Sequence, residues 1–324
     1  MSTTRPDPAA ALVADIGASN ARAGLVLQPG AEPEAIFTRP TNDFRDLADY
    51  LQAAIDHLAG AIPPQRIVCA LASPLDGDTV ALTNAGWRFS LTATRAEVGV
   101  PGLELVNDWV AQGWAVTGLA PHQLRQRAGG VGDAQAPRLA LGPGSGLGSA
   151  LITPCGAGWR VFATEGGHIS LGIEDRREAE IALRMQARFG HCSAERLASG
   201  IGMEALHDVL RALDGQPPQA RSAAHIAELA AAGEPICREV LARFTAALGS
   251  AAGDLVLGAG ARGGVYLGGG IIPALGEAFD WAGFHARFTA KGRFADYLAS
   301  VPVYSVEHPN AGLLGLSRYL EATS

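Results

Sequence analysis

Two glycine-bracketed turns hold the residues of this chain best suited to chemistry. The first, Asp15-Ile16-Gly17-Ala18-Ser19-Asn20-Ala21-Arg22, offers a carboxylate, a hydroxyl and small residues that leave backbone N–H groups uncovered. The second, Gly142-Pro143-Gly144-Ser145-Gly146-Leu147-Gly148, offers the same without the acid. Apolar runs flank both (residues 11–14 and 23–27; 139–141 and 149–152), so each is expected to be the tip of a β-hairpin that presents amides and a hydroxyl to an anion. Two such tips on one chain point to a nucleotide phosphate held between two lobes. Asp15 cannot bind phosphate directly, because like charges repel, but it can position the water shell of Mg2+ on a nucleotide. The plainer alternative is a hairpin that uses glycine for backbone freedom alone.

Three further groups carry polar side chains where ligands collect. Asn107-Asp108 follows the apolar strand candidate Leu105-Val106 and opens a run rich in alanine and tryptophan, which puts a carboxylate and an amide at a strand end facing a helix. Asp108 as a mere helix cap is the bland alternative. In Thr164-Glu165-Gly166-Gly167-His168 the Gly-Gly pair lets Glu165 and His168 converge, and a carboxylate with an imidazole suits sugar hydroxyls, which both donate and accept. Glu195, in His191-Cys192-Ser193-Ala194-Glu195-Arg196, adds a carboxylate at an expected helix start, where the helix dipole alone would also favour it.

The elements that must position these groups are those of a mixed α/β chain. A helical pattern spans residues 43–58, capped by Asn42 or Asp43 and stopped by Gly60 with Pro63-Pro64. Residues 66–72 and 103–106 read as buried strands, and 80–83 as a short one. Residues 125–137, with Gly129-Gly130, Gly132 and Pro137, read as a loop. Helices are expected over 176–189, 194–214, 225–232 and 235–257, then a strand over 264–267 that runs into Gly268-Gly269-Gly270. The two hairpin-led halves read as a distant duplication.

At 324 residues and 48% hydrophobic content the chain is large enough for two domains. A net charge of -7 with no Lys/Arg-rich segment argues against nucleic acid as a partner and for a small molecule. Cys69, Cys155, Cys192 and Cys237 show no C-x-x-C pair and no zinc-ligand spacing, so reduced structural thiols are expected. Asp15 interrupts the first apolar stretch and only Arg5 precedes it, so no signal peptide is expected. No span approaches about 18 consecutive uncharged apolar residues. The expectation is a soluble, cytoplasmic protein with no membrane partner.

Taken together these residues resemble the bacterial glucokinase family, within the hexokinase and actin-like ATPase superfamily. The resemblance runs in order through residues 15–22, Thr83-Asn84, Trp87-Arg88-Phe89-Ser90, 105–108, 142–148 and Glu165-Gly166-Gly167-His168, and continues through residues 193–196, Ser199-Gly200, Gly268-Gly269-Gly270-Ile271 and Lys291-Gly292-Arg293-Phe294, covering nearly the whole chain. It implies a two-lobe actin-like ATPase (ribonuclease H-like) α/β fold around a cleft. The small domain would be residues 9–118 plus 310–324 and the large domain 119–309.

The activity so implied is ATP-dependent phosphorylation of glucose at its 6-hydroxyl, with Asp108 as general base. Asn107, Glu165, His168 and Glu195 would bind glucose hydroxyls, with Asn84 bordering that pocket. Asp15 would orient Mg2+ through water. Gly17, Ala18, Ser19 and Asn20, with Gly144, Ser145 and Gly146, would hold the phosphates of ATP, and Gly268, Gly269 and Gly270 would admit the adenosine. The resemblance also implies a homodimer.

The chain departs from the family pattern in its first turn, which usually reads Asp-x-Gly-Gly-Thr-Asn and here has Ala18 and Ser19. An Ala18 forced to φ > 0 would cost about 1 kcal/mol or more. Ser170 and Ala274 stand where relatives often carry an acidic and a basic residue. Competing readings are a sugar sensor that has kept the pocket and lost phosphoryl transfer, and a kinase for another hexose. The zinc-binding cysteine cluster and helix-turn-helix of the repressor, open-reading-frame and kinase family are absent, which removes a transcription-factor reading of that type.

Overall fold

The computed structural model describes residues 10–58, 64–73, 75, 77–82 and 86–324. The chain divides into two compact units, Met1–Gln123 with His308–Ser324, and Leu124–Glu307.

Along the first unit run β1 (Ala11–Ile16), β2 (Asn20–Val26), β3 (Ile36–Pro40), α1 (Leu47–Leu58), β4 (Arg66–Leu71), β5 (Thr79–Leu82), β6 (Trp87–Ser90), α2 (Leu91–Val98), β7 (Gly102–Asn107) and α3 (Asp108–Gly118). The second unit contains β8 (Leu124–Ala128), β9 (Arg138–Pro143), β10 (Leu147–Cys155), β11 (Gly158–Thr164), α4 (Arg176–Phe189), α5 (Gly200–Leu213), α6 (Ala223–Ala231) and α7 (Pro235–Ala259). It closes with β12 (Val265–Leu267), α8 (Ile271–Leu275), α9 (Trp281–Thr289), α10 (Ala295–Ala299) and β13 (Val303–Val306). Helix α11 (Ala311–Ala322) then returns to the first unit.

The central strands β1 and β4 are apolar at nearly every position because both faces of their sheet are covered. Alternate residues serve opposite faces: Leu12, Ala14, Ile67 and Cys69 join Leu47, Tyr50 and Leu51 of α1, while Ala11, Val13, Val68 and Ala70 join Ala111 of α3 and Leu313, Leu316 and Leu320 of α11. The strand order is β3-β2-β1-β4-β7, an antiparallel meander followed by two parallel strands. The second sheet repeats this plan as β11-β10-β9-β12-β13, with β8 added at the edge. The repeated order supports the duplication read from the two hairpins.

Helix α7 is the spine of the second core, where Phe244 and Leu248 meet Phe284 and Phe288 of α9. By length and composition alone α7 could cross a membrane, yet most of that stretch is buried inside the unit.

Three sequence expectations are corrected. The helix expected from residue 43 begins at Leu47, after a 3-10 turn at Thr41–Asp43, and the Asp46 carboxylate accepts the Asp49 N–H. The helix expected over 194–214 is broken: a 3-10 turn, Ala194–Arg196, precedes α5, whose cap Ser199 accepts the Gly202 N–H at 2.9 Å. The segment 125–137 is not all loop, because β8 lies within its start, and its polar Arg125, Gln126 and Arg127 suit an edge strand. Of the expected helix stop, Gly60 and Pro63 lie outside the described residues.

His207 on α5 is fully buried, and among the described residues neither of its ring nitrogens has a partner. Burial holds this imidazole below its ordinary value of 6.5, helped by Arg221 and Arg211 and opposed by Asp208 and Glu234. As pH falls, the unfolded chain takes up this proton first, so the stability that depends on a neutral His207 is intact above about 6.5 and lost progressively below it. Thermal unfolding between about pH 7.5 and 5.5 should show His207→Leu losing less Tm than the parent protein; equal losses would show that this ring does not contribute to the acid limb.

Candidate active site

In the first unit the carboxyl ends of three strands are level, with Ile16, Leu71 and Asn107 in one row across β1, β4 and β7. Ligands of α/β sheets bind beyond this end. The tip between β1 and β2 is closed by the Gly17 N–H donating to the Asn20 carbonyl at 3.0 Å. Thr41 braces it, its N–H donating to the Ser19 carbonyl at 3.0 Å and its hydroxyl to the Gly17 carbonyl at 2.8 Å. Ser19 and Asn20 are exposed, and Gly17 and Ala18 are half-buried. No described residue other than glycine has φ > 0, so the strain expected at Ala18 does not arise.

Asp15 lies opposite Arg22 in the hairpin and is half-buried. Its Oδ2 lies 2.6 Å from where a Cβ on Gly312 would sit, and Gln112 Nε2 lies 3.3 Å from the same point. The carboxylate therefore rests at the start of α11 beside α3, where the helix amides favour negative charge. Burial pushes the Asp15 carboxyl up, and Arg22 opposes the shift. Among the described residues no group of three or more His, Cys, Asp or Glu could cage a metal. A single carboxylate beside backbone amides fits Mg2+ that arrives already bound to phosphates and water.

Asn107, not Asp108, caps α3, its Oδ1 accepting the Trp109 N–H at 2.9 Å. This removes the reading of Asp108 as a mere cap: Asp108 is the first residue of the helix, one turn before Gln112. Asn107 keeps its amide NH2 to donate, while its oxygen is committed to the cap. Asn84 lies outside the described residues.

In the second unit the β9–β10 tip bonds the Gly144 N–H to the Gly146 carbonyl at 2.8 Å, and the Gly144 carbonyl accepts the Gly200 N–H at the start of α5 at 2.9 Å. Ser145 is exposed at the tip. The Gly268 N–H donates to the Leu141 carbonyl at 3.0 Å, and Gly269, with φ of 84°, packs against the Pro143 carbonyl. An amide-rich turn, a helix start and a triglycine segment thus meet in one place, a combination suited to phosphate.

The polar trio stands beside that turn. A short antiparallel pairing, Ser170 with Ser193, joins the segment after His168 to the one before Glu195, with the Ala194 N–H donating to the Ile169 carbonyl at 2.9 Å. His168 falls between two carboxylates, Nε2 at 3.7 Å from Glu165 and Nδ1 at 4.0 Å from Glu195. Glu165 is 86% exposed and Glu195 only 21%, so Glu195 is the built acceptor and Glu165 the outer one. The buried Ser149 hydroxyl accepts the Gly166 N–H at 3.1 Å, and Glu195 Oε2 accepts the Leu147 N–H at 2.9 Å. Donors and acceptors at one rim suit a polyol.

The sequence reading did not single out Gln112, Gly312 or Ser149. Only the Gly312-Leu313-Leu314-Gly315 spacing could have hinted at a close approach. Lys291, part of the expected family signature, is spent on α7, donating to Ser250 Oγ at 3.0 Å and pairing with Asp254 at 2.7 Å.

A family model described as Glucokinase matches residues 12–323. A glucokinase of Aromatoleum aromaticum is 41% identical over 311 residues, spanning 96% of this chain and 94% of its own length. One of Chromobacterium violaceum is 42% identical over 323 residues, spanning 99% and 92%. The crystal structure of a glucokinase from an Antarctic psychrotroph aligns with a TM-score of 0.84 at 33% identity, covering 97% of this chain and 99% of that one. The fold is the α/β actin-like ATPase fold, whose repeated sheet plan both units carry.

A Cβ on Gly167 would collide with the Leu147 carbonyl oxygen, whereas one on Gly144 would meet nothing within 4 Å. Gly167→Ala should therefore lower stability by about 2 kcal/mol or more and Gly144→Ala by no more than about 0.5 kcal/mol. Denaturant unfolding checks this, and equal effects would refute the close packing.

Proposed function

The chain belongs to the glucokinase family, and from that premise we propose that it transfers the γ-phosphoryl group of ATP to the 6-hydroxyl of glucose. A sugar hydroxyl is a poor nucleophile at neutral pH, and a carboxylate within hydrogen-bond reach takes its proton as the new O–P bond forms and ADP leaves. Asp108 is that base. The observation that carries this reading is the division of labour at the start of α3: Asn107 supplies the cap, and Asp108 stands at the carboxyl end of the parallel strands.

Glu195, His168 and Glu165 hold the sugar hydroxyls, the carboxylates accepting and the imidazole donating, while Asn107 donates through its amide; Asn84 is assigned to the rim of the same pocket on family pattern. Each buried polar group left unpaired by a missing hydroxyl would cost affinity, which is the source of sugar selectivity. Gly17, Ala18, Ser19 and Asn20 of the first unit and Gly144, Ser145 and Gly146 of the second supply amides and hydroxyls to the phosphates. Gly268, Gly269 and Gly270 take the adenosine side. When bound, Mg2+ neutralises charge on the phosphates, and Asp15 is the residue that would hold its water shell.

The sensor alternative drew on the altered first turn, and an Ala18 outside the left-handed region removes the backbone-strain part of that ground. The proposal extends to a cytoplasmic, homodimeric enzyme of glycolysis with no nucleic-acid or membrane partner, supported by the family and the net charge of -7.

A coupled assay with glucose and Mg·ATP should show turnover well above that with mannose, fructose or polyphosphate. Asp108→Ala should lose about 10²–10⁴-fold in kcat while calorimetry finds glucose binding retained within about tenfold. Near-normal turnover in that variant would sink the base assignment, and wild-type glucose binding without turnover would restore the sensor.

A further inference from the structure

The two oxygens of the Glu195 carboxylate are committed to different places. Oε2 accepts the Leu147 N–H at 2.9 Å, where the glycine turn between β9 and β10 ends, and Oε1 faces His168 Nδ1 at 4.0 Å. Gly146 is the reason the first bond fits: a Cβ there would stand 2.5 Å from Oε2, so the carboxylate occupies the space that any other side chain at 146 would fill. The Glu195 backbone is held as well, its carbonyl accepting the Ser199 hydroxyl at 2.8 Å at the cap of α5. The neighbouring Arg196 lies over the Phe189 ring at 4.0 Å and leaves this contact to Glu195 alone.

We infer that Glu195 serves both substrates, binding a sugar hydroxyl through one oxygen and shaping the phosphate-binding turn through the other. The inference rests on the kinase reading above and goes beyond it, because a residue that only binds sugar has no effect on a protein without sugar. A charge-assisted bond to a backbone N–H fixes the turn that must present its amides to phosphate. A sugar hydroxyl that draws on the same carboxylate is then energetically linked to the nucleotide, and the linkage is reciprocal. Glu195 is thus a sugar ligand and, for the nucleotide, a positioning residue.

Calorimetry with each ligand alone separates the two roles. In sugar-free protein Glu195→Ala should bind the non-hydrolysable analogue Mg·AMPPNP about tenfold more weakly. Glu195→Gln, whose amide oxygen can still accept the Leu147 N–H, should bind the analogue within about twofold of wild type while losing about tenfold in glucose affinity. Gly146→Ala displaces the carboxylate from the turn's side, and in nucleotide-free protein it should weaken glucose about fivefold although residue 146 is assigned to the phosphates and not to the sugar. Unchanged analogue binding in Glu195→Ala, or unchanged glucose binding in a folded Gly146→Ala, would overturn the dual role. Wild-type protein that binds neither ligand would overturn the kinase reading, and this inference with it.

Discussion

The packing of α11 onto α3 and the first sheet is the constraint on which the candidate residues of the first unit depend. Leu313, Leu316 and Leu320 bury themselves among Val13, Val68, Ala70 and Ala111, and the apolar area so removed from water outweighs any single polar contact nearby. Two hydrogen bonds set its depth: the Gly30 N–H donates to the Ser317 carbonyl at 2.9 Å, and the Ser317 hydroxyl donates to the Ala31 carbonyl at 2.6 Å. Only at that depth does Gly312 come under Asp15. The acid of the first turn therefore rests against a helix far along the chain, and a largely hydrophobic burial, registered by two hydrogen bonds, places a charge.

The two units share a sheet plan but use it differently. In the first, the hairpin tip is closed by its own Gly17–Asn20 bond and braced by Thr41, and Asp15 and Asn107 stand at the carboxyl ends of β1 and β7. In the second, the tip is bonded to α5 and Glu195 and lies against the triglycine segment, all distant in sequence. Under the proposed function the difference follows from what each would hold. A base and an ion-orienting acid need fixed positions at strand ends, which parallel register supplies. A turn that cradles phosphate needs its amides held open, and that takes partners on several sides.

Most of the architecture was legible wherever a residue's burial matched its own pattern. Central strands such as β1 and β4 show as apolar runs, α4 shows its full span, and the hairpin turns announce themselves by glycine. Two edge strands were not legible: β8 is Leu-Arg-Gln-Arg-Ala and β11 is mostly exposed, so neither presents a buried apolar run. The break before α5 was hidden because buried Leu197 and Ala198 continue the apolar period, and only the Ser199 cap marks the restart. The polar residues of the candidate site were legible by type, and their roles came from resemblance to a family. Gln112, Ser149 and Gly312 were not, because they act by position alone and topology, not spacing, brings them to the residues they support.

The first turn shows why one departure from a family pattern is structurally mild. Glycine is required where the backbone must enter the left-handed region or where another group occupies the Cβ position. Gly269 meets both conditions, with φ of 84° and the Pro143 carbonyl 2.5 Å from its absent Cβ. Ala18 does not meet the first, because Ile16 and Ala21 pair in register and the Gly17 to Asn20 bond spans the tip without a left-handed residue. Thr41, bonded to the carbonyls of both Gly17 and Ser19, holds the turn from outside, so its shape does not rest on Ala18. What this turn offers an anion is its amides and the exposed Ser19 hydroxyl, and a methyl group at residue 18 leaves the backbone that presents them unstrained.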